Sequence, residues 1–358
     1  MKKIFSIILA ILLLPTTVLF GGCGKKPKDP DKLTPETPEE FVYEISDDGK
    51  YVYFGEYPQT IKANNVTITS QTPDADGYYR GSDGARYHKY TVNINFDDLG
   101  YLEEDWYTYR YSELSNGHMF SQGEELYFKV EKIRWRVLSK SNNTYFLMCD
   151  SVIENSGYDM SYDRYYNDFY KTDKNGYWLF EEDGETKIQL NNYKHSAVRS
   201  FLNNEFYNNA FSEEQKSKIQ LTEVDNSAST TVNPDGQYVC ENTYDYIFSP
   251  SYVDMINPEY GFNPDPNALD VNRALYSSDY AKALGVMTIT AELLDLQNAT
   301  EEDYNEMIDF VDSSPYKLRS PVNDAEGSSV SDVYFGSLDL MPVYDFTDGI
   351  LPALYVTL

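Results

Sequence analysis

Histidine, cysteine and positive charge are scarce in this 358-residue sequence, which carries three histidines, three cysteines and 29 basic residues against 58 acidic ones. His88, His118 and His195 are scattered, and no H-x-x-x-H or C-x-x-C pair occurs, which argues against a structural or catalytic zinc. There is no G-x-S-x-G elbow. The S-x-x-K match of Ser314 with Lys317 has Pro315 between its members and no K-T-G partner, so neither serine-nucleophile pattern is carried. A formal charge of −29 lacks the basic footprint that phosphate binding needs, so no nucleic acid partner is expected, and docking on anionic lipids or envelope polymers is equally disfavoured. With 58 acids, some pair of carboxylates always lies close in space, so their abundance says nothing for a glycosidase.

What the chain does have begins at its N-terminus. Lys2 and Lys3 precede an apolar stretch, Ile4 to Phe20, whose uninterrupted run from Ile7 to Leu14 is far short of the ~20 residues of a spanning helix. Pro15, Thr16 and Thr17 break it, and Gly21 and Gly22 stand before Cys23. Residues 1–22 therefore read as a signal peptide. The ending resembles the lipobox of bacterial lipoproteins, although Phe20 sits where that family usually has leucine. The resemblance implies a diacylglycerol on the Cys23 sulfur and cleavage just before it, with Cys23 as the lipid anchor. Residues 23–40, with prolines at 27, 30, 35 and 38, cannot bury apolar surface and read as a disordered tether. In a polyproline conformation it spans about 50 Å at ~3.1 Å per residue. The expected location is exported, held by lipid to the outer face of the bacterial cell membrane, which makes the membrane itself a partner. Loss of Lys2 and Lys3 leaves 27 basic against 58 acidic residues, or −31.

Cys149 and Cys240 are the other two cysteines, too few for a disulfide framework; Cys149 follows the apolar run Tyr145 to Met148, where a buried thiol suits it as well as a disulfide. Tyrosine stands out, at 34 copies.

Residues 41–358 read as one extracellular domain of α+β class, mostly antiparallel sheet with a few helices. Tyr51 to Phe54 predicts a short strand followed by a turn at Gly55-Glu56-Tyr57-Pro58. Phe128 and Val130 alternate with polar residues, and Ile133, Trp135 and Val137 alternate in the opposite phase, which predicts a β-bulge at Glu131-Lys132. Tyr145 to Cys149 predicts a buried strand, and Leu354, Val356 and Leu358 a terminal one. Asp-Gly pairs starting at Asp48, Asp76, Asp83, Asp183, Asp235 and Asp348 supply turns. Val198, Phe201, Leu202 and Phe206 predict a helix over about Ser196 to Tyr207. Ser212 with Gln215 forms a capping box, and Thr300 with Asp303 caps a helix whose Tyr304, Met307, Ile308 and Val311 line one side. Residues 61–119 and 157–193 are polar, turn-rich and aromatic, and read as insertions.

The run Tyr53 to Thr60, the strand Ile133 to Leu138, Val198 to Phe206, Ala210-Phe211-Ser212, Asp279-Tyr280-Ala281, Leu318 to Pro321 and the closing Leu351-Pro352-Ala353-Leu354 together resemble the bacterial domain of unknown function 6273. That family is common in exported and lipid-anchored proteins of low-GC Gram-positive bacteria, and the resemblance runs from about residue 51 to 358. It implies no activity. Leu351 departs from the family, which usually has arginine there. The closing pattern is also similar to that of formylglycine-generating-enzyme and C-type-lectin-like folds, an analogy of fold that carries no chemistry; the enzyme's catalytic cysteines have no counterparts here.

The functional lead lies in the aromatic insertions. Flat Tyr and Trp faces stack on sugars or peptide side chains while neighbouring Asp and Asn bond hydroxyls. Trp106, Tyr107, Tyr165, Tyr166 and Trp178 are the candidate ligand-binding residues, with Arg319 from the family-like motif. The competing reading is packing: Tyr165 with Phe169, and Tyr166 with Tyr170, stand at i,i+4, and an arginine such as Arg319 bonds backbone carbonyls or an acid. Asn263, Asp265 and Asn267 mimic the start of a calcium loop, but Ala268 and Ala274 stand where the EF-hand needs glycine and glutamate. Calcium held otherwise by loop carboxylates stays open, no other cofactor is expected, and no catalytic residue is assigned. The expectation is a non-catalytic binding module for envelope glycan or peptide. Its rivals are an envelope hydrolase using paired carboxylates and a structural or assembly lipoprotein.

Overall fold

The computed structural model describes residues 41–94, 113–155, 158, 169–232, 235–236, 238–291, 293–322, 329–345 and 347–358. Cys23, Trp106, Tyr107, Tyr165 and Tyr166 lie outside them. Val42–Leu358 is a compact unit distinct from Met1–Phe41.

The strands are β1 (Tyr43–Ile45), β2 (Tyr51–Ile61), β3 (Tyr79–Arg80), β4 (Arg86–Thr91), β5 (Glu125–Ser141), β6 (Thr144–Cys149), β7 (Thr222–Val224), β8 (Thr243–Asp245), β9 (Leu275–Tyr276), β10 (Ser313–Ser314), β11 (Tyr316–Pro321), β12 (Ser329–Tyr334), β13 (Ser337–Pro342), β14 (Gly349–Ile350) and β15 (Ala353–Thr357). The main sheet has the order β1-β2-β5-β4-β3, with β6 on β5 and β15 on β6, and every pairing in it is antiparallel. A second sheet has the order β13-β12-β11-β14, its β11–β14 pair parallel. With the few helices below, this is the α+β, mainly antiparallel class that the sequence predicts.

Strand β5 organises the main sheet. One edge carries β2 along its middle, from Phe128 to Arg136, while the other carries β4 at its start and β6 at its end. Leu126, Phe128 and Val130 are buried, then Ile133 and Trp135 in the opposite phase, as the alternation predicts; Val137, expected to continue that phase, is only half-buried, and Leu138 is buried in its place where the pairing with β6 shifts register. The extra residues, however, are in β2: Tyr53 pairs with Arg134 but Glu56 with Lys132. The Gly55-Glu56-Tyr57-Pro58 run is thus not a turn but the bulged middle of an 11-residue strand. Gly55 has φ +75°, and a Cβ there would lie 2.7 Å from the Phe211 ring and 2.8 Å from the Ala210 carbonyl. The bulge frees the Phe54 carbonyl, and the fully buried Trp135 indole N–H donates to it at 2.7 Å. A buried carbonyl without that partner would cost about 1–3 kcal/mol.

Helix α1 spans Ala197–Phe201, a π-turn Leu202–Phe206 and Tyr207–Ala210, with Ser196 capping its start. Its buried residues are Val198, Leu202, Phe206 and Ala210. A strict spacing of four exceeds the 3.6 residues of an α-turn, and the π-turn absorbs the drift that would rotate Phe206 off the core. Helix α2 (Glu213–Lys216) has the Ser212–Gln215 capping box with both bonds formed. Helix α3 (Asp279–Ala283) is capped by Ser278. Helix α4 (Glu301–Met307) is capped by Thr300, as predicted, yet none of its residues is buried, and Tyr304 and Ile308 are exposed. Its apolar stripe forms on schedule, but among the described residues no element buries it: Met307 and Val311 are only half-buried.

Candidate functional site

Glu154 follows β6 in an extended stretch whose carbonyl accepts from the Ile350 N–H at 3.0 Å. Its side chain is held by two donors: the Tyr57 hydroxyl at 2.5 Å on Oε2 and the Asn155 backbone N–H at 3.0 Å on Oε1. Glu154 is only 6% exposed. Burial pushes its carboxyl up to about 7 against the pull of those two bonds, and the charge of Glu205 adds to the rise.

The surrounding groups come from four separate places. Tyr280 of α3 has edge-on ring contacts with Tyr57 of β2 and with His88 and Tyr90 of β4, at centroid distances of 6.0, 5.4 and 5.7 Å, and it packs on Phe128 of β5 at 5.3 Å. Burial raises the phenols of Tyr57, Tyr90 and Tyr280, and the Glu154 charge adds to the rise in each. Burial holds His88 below the usual histidine range, so its ring is neutral at pH 7. Asp279 fixes α3 in place: it accepts from the Ile61 N–H at 2.9 Å, the Ser115 N–H at 2.7 Å and the Ser115 hydroxyl at 2.5 Å. The cluster is therefore a carboxyl near half-protonation at neutral pH, ringed by phenols on a rigid frame. Such a carboxyl donates or accepts a hydrogen bond as its ligand requires, and it is poised for proton transfer.

Trp178 lies in a second feature, a small meander of three extended segments. Thr172 pairs with Trp178, Phe180 with Lys187 and Tyr170 with Gln189. The turns are closed by Asp173, whose Oδ1 accepts from the N–H groups of Asn175 and Tyr177, and by Asp183, which accepts from those of Glu185 and Thr186. Ile188 and Leu190 are buried beneath it. Glu181 anchors it further, meeting His195 at 3.0 Å, Asn192 at 3.0 Å and Lys194 at 3.3 Å. Four consecutive residues, Tyr177, Trp178, Leu179 and Phe180, are 73, 43, 37 and 43% exposed. The Lys187 ammonium covers one Trp178 face, 2.9 Å from the ring centroid, and stands 4.7 Å from that of Tyr170.

Arg319 is not near this surface in role or exposure. Its guanidinium donates to the Ser249 carbonyl at 2.9 Å, Asp254 Oδ2 at 3.1 Å and the Asp225 carbonyl at 3.4 Å, and it lies over Phe248. It acts as an internal post, because a side chain 7% exposed with those partners has no donor to offer from the surface. Arg199 is used similarly, joining Asp245 at 2.8 Å and the Lys194 carbonyl at 2.9 Å.

The run that mimics a calcium loop is organised around Arg273. This fully buried guanidinium donates to the carbonyls of Asp265 and Ala268 at 3.0 and 2.8 Å and lies 3.6 Å from Asp270. Asn263 and Asp265 turn their side chains onto backbone N–H groups two residues on. Among the described residues no group of three or more His, Cys, Asp or Glu comes together as a metal set. Cys149 and Cys240 are free thiols, and burial pushes Cys149 up to about 12. No helix among the described residues is long and apolar enough to cross a membrane.

Sequence reasoning selected Trp178 and missed Glu154. The carboxyl is one of 58 acids, and its signal was faint: it directly follows the apolar pair Val152-Ile153 beyond a buried strand.

The fold and its buried polar cluster define an α+β domain of mainly antiparallel sheet. The chain belongs to the family described as domain of unknown function DUF6273, whose model matches residues 142–358. No curated protein and no solved structure matches the chain. The match takes in Glu154, Tyr280 and the meander. Tyr57, His88 and Tyr90 stand outside it, as do the Tyr53–Thr60 and Ile133–Leu138 motifs.

Proposed function

We propose that the protein is a non-catalytic binding module, exported and held to the outer membrane face through Cys23, which takes a glycan of the cell envelope on the meander. The observation that carries this reading is the exposed Tyr177–Phe180 run on a frame pinned by Asp173, Asp183 and Glu181. Four adjacent large apolar residues, 37 to 73% exposed on a rigid support, make the kind of surface patch that marks an interaction site. Flat rings next to Lys174, Asn175 and Glu182, all exposed, suit the mixed apolar and hydroxyl faces of sugars better than a uniformly apolar partner.

The test is a titration of the purified protein with peptidoglycan fragments and envelope polysaccharides, with Trp178→Ala alongside. Loss of a stacking platform should weaken binding at least about tenfold, or ~1.4 kcal/mol, with an unchanged circular dichroism spectrum. Silence of the wild type across a broad glycan and peptidoglycan-fragment array removes the glycan reading; a Trp178-dependent dimer in ultracentrifugation would instead favour an assembly role. One observation favours a hydrolase as the second reading: a desolvated Glu154 held near 7 has the protonation of a general acid. Turnover of a glycan by the wild type that is lost in Glu154→Gln would put that reading first.

A further inference from the structure

Lys317, Asp332 and Asp348 meet in the second sheet. Lys317 of β11 stands directly across from Asp332 of β12, and β14 runs beside β11 with Ile350 opposite Lys317. That register brings Asp348, the residue before β14, against the lysine, with Nζ 3.5 Å from Oδ2. The Lys317 side chain is 3% exposed, and both aspartates are fully buried. The Lys317 ammonium also donates to the Asp345 carbonyl.

The position of Asp348 is fixed from the next residue. A Cβ on Gly349 would fall 2.0 Å from Val152 Cγ1 and 3.2 Å from the Glu154 carbonyl oxygen, so only glycine fits. The Gly349 N–H donates to the Pro315 carbonyl at 3.0 Å. The glycines of the other five Asp-Gly pairs have positive φ, as turns require, whereas Gly349 lies in a strand without it. This pair serves to place a carboxyl.

An ordinary buried ion pair surrounds its carboxylates with N–H and O–H donors. Here both oxygens of Asp332 and both of Asp348 are buried without a hydrogen bond among the described residues. The Lys317 ammonium lies against Asp348, Asp332 stands opposite it across the strand pair, and burial favours the neutral forms of both carboxyls. Asp332 is accordingly raised well above the carboxylate range, and Asp348 up to about 6.

We propose that Lys317 and Asp348 join in an intramolecular amide bond between Nζ and Cγ, with the Asp332 carboxyl relaying the proton. A proton passes from the ammonium to the Asp348 carboxylate, giving an amine beside a carboxylic acid. The amine lone pair attacks Cγ, the new C–N bond forms, and the C–O bond to the hydroxyl breaks. The proton released from nitrogen travels through Asp332 to the departing hydroxyl, which leaves as water, and Asp332 ends as it began. No oxidant or co-reactant is needed. Fixed contact between the reactants replaces chemical activation, and exclusion of water, the product, favours the amide.

The test is the intact mass of the purified protein together with a tryptic peptide map. The expected result is a mass one water below that of the unlinked chain and a branched peptide joining the segments of Lys317 and Asp348. Lys317→Met should restore the full mass, and Asp332→Ala should leave the two segments unlinked. Recovery of both segments as linear peptides from the wild type overturns the proposal, even if Lys317→Met fails to fold. A succinimide at Asp348-Gly349 loses the same water but leaves a linear peptide, so finding it there also overturns the bond. Linking in Asp332→Ala to the wild-type extent overturns the relay.

Discussion

Glu154→Gln replaces a carboxyl that keeps its proton in the folded protein up to about pH 7 with a neutral isostere, and its effect on stability should depend on pH. Folded, the group sits at about 7; its ordinary value is 4.5. A raised carboxyl pKa means that between these values the unfolded chain has lost the proton and the folded one keeps it. Wild-type stability from this group is therefore full below about pH 4.5, falls by about 1.4 kcal/mol per pH unit up to about pH 7, and is then level. The total is about 3 kcal/mol, from a difference of about 2.5 in pKa at 1.36 kcal/mol each. Glutamine cannot ionise, and its carbonyl still accepts from Tyr57, although its amide N–H₂ then meets the Asn155 N–H at a cost of about 1 kcal/mol. The variant should thus be about 1 kcal/mol less stable than the wild type at pH 4 and about 2 kcal/mol more stable at pH 8. Urea unfolding of both proteins from pH 4 to 8 reads this difference directly. Asp332 and Asp348 are untouched by the substitution, so whatever they contribute is the same in both proteins and cancels. A difference that stays constant across this range would refute the desolvated Glu154.

Trp135→Phe should cost about 2 kcal/mol, because it strands the Phe54 carbonyl at the bulge and empties part of a fully buried site. An unchanged urea midpoint would show that the indole does not hold the bulge. Arg199→Ala leaves Asp245, whose side chain is fully buried, without its cation; the expected loss is about 3–5 kcal/mol. Arg199→Ala with Asp245→Asn should recover part of it, and failure to do so would argue against the pair.

What could be read from sequence was local or strictly periodic. The Ser212–Gln215 box and the Thr300 cap are decided within four residues, so no distant contact overrides them. The alternation in β5 forecast burial from Phe128 to Trp135, but not the change of phase that buries Leu138 instead of Val137, and it could not say which strand takes the extra residues at the bulge. That depended on Gly55 fitting under Phe211 and on Trp135 reaching a freed carbonyl. Helix α4 shows the converse. Its apolar spacing fixes a stripe, while burial requires a facing element from elsewhere in the chain, and none among the described residues covers Tyr304 or Ile308.

Composition and spacing by themselves determined the α+β antiparallel class, the acidity and the absence of recognisable zinc and serine-nucleophile motifs. Only the tertiary structure separated Glu154 from the other acids, since Tyr57 is 97 residues away and Tyr280 comes from a different element. It likewise turned Lys317, Asp332 and Asp348 into one group through the register of three strands. The reason is the same in both cases. A side chain's chemistry follows from how much water and which charges surround it, and those are set by contacts between distant segments.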